Sequence, residues 1–344
     1  MDSADFAFAN DLRLRVRGNA AAIRHARREY GPAEFSGGGR IDLDVTFGRM
    51  GRRTNAAVDG PDAPPRRGGH KTVGWRVDAG DPDGAPLVAR IETTGWPVAF
   101  AMSLVQGYFV EPLLSIAAAR RGIVLLPGAG IDLDDGLVLL LGRSRAGKST
   151  LAARALTAGR VVLGDDQLFV GPDTTAWPFP RSLRFYPDLA QTAPLAYAQL
   201  RPPTQRGLRM RTALARVSAG YVRPSLAVPG SELGLQWSPG ARPINRLVLL
   251  ERDADRADLE VALASPQEAV DWAAELLGEQ RVRLADLGGF VWREAIDRVA
   301  DIERSLLERS FATLPVDRLA IPASWDAPTA VEASARWLGI DRQR

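Results

Sequence analysis

Along the first hundred residues, apolar and polar positions alternate in short runs. RIDLDVTF (40–47), TVGWRVDAG (72–80) and APLVARIETTG (85–95) repeat with a period of two, the pattern of strands with one buried face. One earlier stretch, AAAIRHARREYG (20–31), has helical spacing and ends at Gly31. NAAVDGPDAPPRRGGHK (55–71), rich in Gly and Pro, predicts a long loop. A helix is predicted through SLVQGYFVEPLLSIAAARRG (103–122), with a turn or kink near Pro112.

Beyond residue 120 the pattern changes. GIVLLPG (122–128) and GLVLLLG (136–142) are continuous apolar runs between glycines, predicting buried strands joined through a hairpin loop, GAGIDLDDG. KSTLAARALTAG (148–159) is helical in period and stops at Gly159. RVVLGDD (160–166) and RLVLLER (246–252) predict further core strands. Residues 199–243, dense in Arg, Pro, Gly and Ser, predict a surface segment, either a linker or a substrate loop. SPQEAVDWAAELLGE opens with Ser265 as a cap and Pro266 at the first helical position. A longer amphipathic helix follows over WREAIDRVADIERSLLERSFATL, then a strand, VDRLAIP, and a helix, PTAVEASARWLGI. No internal repeat is visible.

The chain has 344 residues, long for one core, which predicts two domains. The division expected is an N-terminal, mostly-β α+β domain at 1–104 and an α/β domain at 105–344. The absence of cysteine excludes disulfides, thiolate metal sites and a cysteine nucleophile. The start, MDSADFAFAND, is acidic and lacks the apolar run of a secretory signal, and the apolar strand runs are too short to span a bilayer, so a cytoplasmic protein with no membrane partner is expected. Net charge is only +3, and acids balance the arginines along most of the chain, which argues against a nucleic-acid partner.

Nearly every cation is arginine; the two lysines are Lys71 and Lys148. Lys71 lies in a Gly- and Arg-rich loop and reads as a solvated surface residue. Lys148 belongs to Gly142-Arg143-Ser144-Arg145-Ala146-Gly147-Lys148-Ser149, followed by Thr150, a match to G-x-x-x-x-G-K-[ST]. In such a loop glycines let the backbone curl so that N–H groups face a phosphate, the lysine supplies a compact charge and the hydroxyl of Ser149 ligates Mg²⁺. The wide planar fork of arginine does not suit that cradle, which explains a lysine here. An apolar strand precedes the loop and a helix follows it, the context the motif requires. The pattern therefore predicts a site for a nucleotide such as ATP, with Mg²⁺. Asp165 and Asp166 close the next strand, beside the phosphate; one carboxylate can hold or orient the metal and the other can accept a hydroxyl proton.

The order of apolar hairpin, G-x-S-x-A-G-K-S-T, helix, Gly and V-V-L-G-D-D resembles the catalytic domain of HPr kinase/phosphorylase and its relatives, including the HPr-kinase-like serine kinases of lasso-peptide clusters. PRSLRFYPDLA (180–190) and PINRLVLLER (243–252) are similar to segments of those relatives. The likeness covers roughly 105–344. It implies an α/β P-loop kinase domain with a hairpin before the phosphate loop, Lys148 on the phosphates and Ser149 on Mg²⁺. It further implies Asp165 as the base, Asp166 supporting the metal or its waters, and Asp188 as a second metal-binding acid. Three departures stand out. Arg120-Arg121-Gly122 replaces a histidine before the glycine, and neither His25 nor His70 lies near in sequence, which puts a reverse phosphorylase reaction in doubt. Arg145 stands where the family usually has Gly, and Thr150 where the bifunctional enzymes have an acid.

The expected activity is transfer of the γ-phosphoryl group of ATP to a hydroxyl, of Ser or Thr in a peptide or protein. Two alternatives stay open: a small-molecule kinase of the shikimate or gluconate type, and a nucleotide-binding regulatory module without turnover. The arginines of 199–243, with Arg181 and Arg184, are a candidate holder for an acidic acceptor. The oligomeric state is left open.

Overall fold

The computed structural model describes residues 1–49, 66–217, 225–235, 237 and 240–341. The chain is mixed α/β and divides into two compact units, Met1–Leu125 with Leu277–Ser305, and Leu126–Leu276 with Leu306–Arg344. The cut thus falls at 125 rather than after 104, and the first unit takes in a segment from far down the chain.

The first unit contains β1 (Asp2–Ala7), β2 (Arg13–Gly18), α1 (Ala20–Tyr30), β3 (Leu43–Arg49), β4 (Arg66–His70), β5 (Val73–Ala79), β6 (Leu87–Gly95), α2 (Val98–Val105) and α3 (Glu111–Arg120). The six strands form one mixed sheet in the order β1-β2-β3-β6-β5-β4. The alternating runs become β3, β5 and β6 as expected. The pattern also holds in DSADFA and RLRVRG, which become β1 and β2. Inward residues such as Phe6, Leu14, Val16, Val45, Val77 and Ile91 are fully buried. Of the predicted loop 55–71, residues 55–65 lie outside the described residues, and 66–70 pair with β5 as β4.

Asn19 starts α1 by accepting from the N–H groups of Ala21 and Ala22, each 3.0 Å away. The helix expected around Pro112 is one continuous helical run in which α2 passes into α3 through a single π-helical stretch, Gln106–Val110. Proline lacks the N–H that an α-turn needs, so the wider turn falls just before it. By length and composition Val98–Arg120 is apolar enough to cross a membrane, but 67% of its apolar window is buried inside the protein, with Val105, Phe109 and Leu114 completely covered.

The second unit contains β7 (Val124–Pro127), which begins two residues before the division, then β8 (Ala129–Leu133), β9 (Gly136–Gly142), α4 (Lys148–Thr157), β10 (Val161–Gly164), β11 (Gln167–Val170), β12 (Thr175–Pro178) and β13 (Leu183–Phe185). There follow α5 (Leu189–Thr192), α6 (Pro194–Gln199), α7 (Pro202–Val217), β14 (Leu226–Val228), β15 (Arg242–Asp253), β16 (Glu260–Ala264), α8 (Pro266–Phe311, of which Leu277–Ser305 belongs to the first unit), β17 (Val316–Pro322) and α9 (Ala327–Leu338). Nine strands form a mixed sheet in which β10-β8-β9-β15-β12-β11-β7 run side by side, and β17 joins beside β15 and carries β16.

The hairpin before the glycine-rich loop differs from the expected one. GAGIDLDDG is not a connecting loop: Ala129–Leu133 is itself a strand, pairing antiparallel with β9 across the Asp134–Asp135 turn. The run GIVLLPG instead becomes β7 at the far end of the sheet. The reason is that Gly128 and Gly130 hide a strand from a reading based on apolar side chains; a Cβ on Gly130 would lie 3.2 Å from the Leu163 side chain, so the small residue is what the packing needs.

β9 lies between β8 and β15, parallel to β15 in the register Leu139↔Leu247 and Leu141↔Leu249. Buried on both faces, its residues 137–142 need no alternation. One face packs on α4 and α9, where Val138, Leu140, Leu151, Ala155, Val248, Ile321 and Leu338 share a core. The segment 199–243, expected to be irregular, is largely ordered where described: α7 fills Pro202–Val217, since its prolines occupy the first helical positions and the rest, Gly207 apart, are ordinary helix formers. Residues 218–224, 236, 238 and 239 of that segment lie outside the described residues.

The predicted cap at Ser265 is present as a complete capping box: its hydroxyl accepts from the Glu268 N–H, and the Glu268 carboxylate accepts from the Ser265 N–H. The two predicted helices after it are one, 46 residues long, running through Gly278 without a break.

Candidate active site

The loop after β9 is built by two unusual backbone positions. Gly147, just before α4, has φ +104, and Arg145 has φ +71. A glycine accepts such values freely, whereas an L side chain there costs of order 1 kcal/mol. Gly142 is required for a different reason: a Cβ there would lie 2.8 Å from the carbonyl oxygen of Leu250 on the neighbouring strand and 3.1 Å from the Ala146 side chain. The side chain of Arg145 is exposed, and those of Arg143 and Ser144 are exposed as well, with Arg143 in an ion pair with Glu275. Ala146 is buried, and Thr150 is half-buried in the first turn of α4.

Lys148 is the first residue of α4 and is 7% exposed. Its ammonium turns back over the loop to donate to the carbonyl oxygens of Gly142 and, at 3.1 Å, Arg143. Burial holds its pKa below the ordinary lysine value, with the negative charges of Asp166 and Asp165 working the other way. The loop leaves donors available around it: among the described residues the backbone N–H groups of Gly147, Lys148 and Ser149 have no protein acceptor. A helix start with orphan N–H groups and an adjacent buried ammonium fits an anionic phosphate.

β10 ends at the two carboxylates. It is antiparallel to β8, which is antiparallel to β9, so β9 and β10 point the same way with β8 between them, and α4 makes the crossover. Both the glycine-rich loop and the Asp pair therefore fall at the carboxyl ends of parallel strands. The pair occupies the two-residue bend between β10 and β11 rather than running straight into the apolar QLFV.

The two acids differ. Asp165 is buried; its Oδ2 accepts from the Arg184 N–H at 3.1 Å, and its main-chain oxygen lies 3.4 Å from the Ser149 hydroxyl, which donates to it. Burial raises its pKa to about 6, and the charge of Asp166 raises it too, against the lowering effects of the Arg184 N–H, the Arg181 charge and the Ser149 hydroxyl. Asp166 is half-exposed and takes a 3.2 Å ion pair from Arg181, which also reaches Gln167 at 3.4 Å.

The structure thus brings Lys148, Ser149, Asp165 and Asp166 together. Asp188 is not shown joining them: it is exposed at the start of α5, and no hydrogen bond or ion pair among the described residues links its side chain to the Asp pair. Nor do three His, Asp or Glu side chains cluster closely enough for a metal among the described residues; Ser149 with the two aspartates is the donor set present. Arg181, read from sequence as a possible holder of substrate, is engaged with Asp166. Its fifteen-residue separation from that acid carries no periodic signal, so the partnership could be found only in three dimensions. Arg120 and Arg121, which precede Gly122, are committed elsewhere: Arg121 makes a two-pronged bond to Asp42, and Arg120 donates to the carbonyl oxygens of Gly84 and Pro82. Compared with known proteins, the chain matches no family model and no curated protein.

Proposed function

We propose that the second unit is an ATP-dependent kinase of the HPr-kinase type that moves the γ-phosphoryl group to a hydroxyl, of Ser or Thr in a peptide or protein. The observation that carries this reading is the meeting of a buried lysine in a glycine-rich loop with a buried, elevated-pKa aspartate on the adjoining strand end. The loop N–H groups and Lys148 hold the triphosphate. Ser149, with Asp166, is the donor set for Mg²⁺, which when bound neutralises charge on the phosphate oxygens. Asp165 accepts the proton of the attacking hydroxyl as its oxygen bonds to the γ-phosphorus; the bond to the β-phosphate oxygen breaks and ADP leaves. A carboxylate with a pKa near 6 is ionised at neutral pH yet more basic than an exposed aspartate, as this task requires. The Arg184 N–H and Ser149 fix its position, while Arg181 holds Asp166.

The Asp pair argues for transfer over a purely regulatory nucleotide site, because burying an acid against another acid costs stability that a binding module has no reason to bear. Incubation with labelled ATP, Mg²⁺ and serine-containing peptides, with the phosphate mapped by mass spectrometry, tests the reading. A kinase loses transfer but keeps nucleotide binding in Asp165→Asn; wild-type protein that binds ATP and shows no turnover with any hydroxyl acceptor rejects it.

A further inference from the structure

From Leu189 to Ser231 the chain carries arginines at 201, 206, 209, 211, 216 and 223 and no acid at all, in a protein whose net charge is only +3. Most of these lie on α7. The inner side of that helix is fixed: Leu208 is 1% exposed in the core of the second unit, and the Thr212 hydroxyl donates to the Pro187 carbonyl oxygen at 3.3 Å. The outer side is apolar and uncovered. Met210, Leu214 and Val217 are 74%, 47% and 88% exposed and follow the i, i+4, i+7 spacing of a single ridge. Arg206 extends that ridge by one turn, and Arg209 and Arg216 flank it.

None of Arg206, Arg209, Arg211 and Arg216 meets an acid among the described residues. Three are steadied by oxygens instead: Arg206 by the Pro202 carbonyl, Arg209 by the Tyr197 hydroxyl at 2.9 Å, and Arg211 by the carbonyls of Ser225 and Gly207. Their charges are held in place and left unneutralised. The helix is also tied to the candidate site. Ser225 leads into β14, β14 pairs with β13, and the Arg184 N–H of β13 is the donor to Asp165.

We propose that the outer face of α7 docks the phosphate acceptor, and that the acceptor is an acidic, amphipathic peptide segment whose apolar side chains cover Met210, Leu214 and Val217 while its carboxylates meet Arg206, Arg209 and Arg216. The proposal rests on the kinase reading above for calling that segment a substrate. Charge complementarity selects the occupant: an exposed apolar ridge beside unpaired arginines matches a peptide of opposite charge and similar periodicity.

The test uses the full chain and a fluorescein-labelled helical peptide with leucines on one face, glutamates beside them and one serine. Anisotropy is expected to show binding that weakens with salt. The double variant Arg206→Glu/Arg209→Glu is expected to weaken it at least roughly tenfold, and a lysine-for-glutamate version of the peptide is expected to bind the variant better than it binds wild type. Met210→Gln/Leu214→Gln should weaken binding without changing the salt dependence. Binding of a labelled ATP analogue, unchanged in all variants, reports an intact fold and nucleotide site. Peptide affinity indifferent to both double variants overturns the proposal, as does a ridge that binds anionic phosphatidylserine vesicles, RNA or a second copy of this chain in place of the peptide. A wild-type chain that transfers phosphate to a short unstructured serine peptide but does not bind the helical peptide sinks the docking surface and leaves the kinase standing; binding of the helical peptide with no transfer to any hydroxyl acceptor does the reverse.

Discussion

The two sheets handle charge in opposite ways. In the first unit, acids and arginines face each other across neighbouring strands: Arg15 on Asp5 at 2.7 Å, Arg17 on Asp44 at 2.8 Å. Each pair stabilises its own ionised form, so the carboxyl of Asp5 is held below its ordinary pKa, first by the Arg15 hydrogen bond, and Arg15 and Arg17 are held above theirs. The second sheet also carries cross-strand pairs, such as Arg242 with Asp132, but its apolar strand β9 leads to an end where Lys148 and Asp165 are buried without such a partner ladder. There Asp165 is pushed upward and Lys148 downward, both chiefly by burial. The lesson is that paired charge across a sheet face is a structural ladder, whereas charge buried at strand ends against its own preference marks the site we propose for catalysis.

The sharpest way to break this contrast is to replace the strained groups. Asp165→Asn is expected to lower phosphoryl transfer by about 10³-fold, the scale of a lost general base, while ATP affinity stays within a few-fold, read by initial rates and by titration. The same change should raise stability in neutral solution. Between the ordinary aspartate pKa of 3.8 and about 6 the folded chain keeps a proton that the unfolded chain has lost, so stability falls as pH rises through that window and the deficit persists above it. Urea unfolding of Asp165→Asn against wild type should therefore show a gain on the order of 2 kcal/mol at pH 8 that shrinks at pH 4. If the gain is equal at both pH values, Asp165 is not the strained group.

Lys148→Ala is expected to weaken ATP binding roughly a hundredfold, by loss of charge-assisted bonds to phosphate, measured by calorimetry. In wild type, the rate of transfer should rise with pH through about 6 and then level off, because only ionised Asp165 can accept the proton. A flat profile between pH 5 and 8 assigns the base elsewhere. Ser265→Ala, outside both charge systems, should cost about 1 kcal/mol by removing the capping box of α8, read as a lower denaturant midpoint. The smallest effect belongs to the ladder: Asp5→Asn should cost about 0.5 kcal/mol, and less in high salt, since Arg15 and Asp5 are partly solvated.

Much of the fold could be read along the chain wherever a local rule acts alone. The alternation in 40–47, 72–80 and 85–95, the double-sided apolar run of β9, the αL glycine at Gly159 after α4, and the Ser265 box each depend on residues within a few positions of one another. Readings failed where a distant partner decided. Along the chain β8 reads as a loop, because its small residues make sense only against Leu163 and Leu139. Along the chain α7 reads as irregular surface, because its inner side rests on little more than Leu208 and Thr212.

The sequence by itself determined the glycine-rich loop, the lysine inside it and the acid pair on the next strand, because a strand, a curl and a helix start need particular residues in a fixed local order. Only the tertiary structure decided which of the two aspartates is buried, that Arg181 holds the other, and that the strand beside β9 is β8 rather than β7. Burial and charge depend on what packs from elsewhere in the chain, and no spacing along the sequence encodes that.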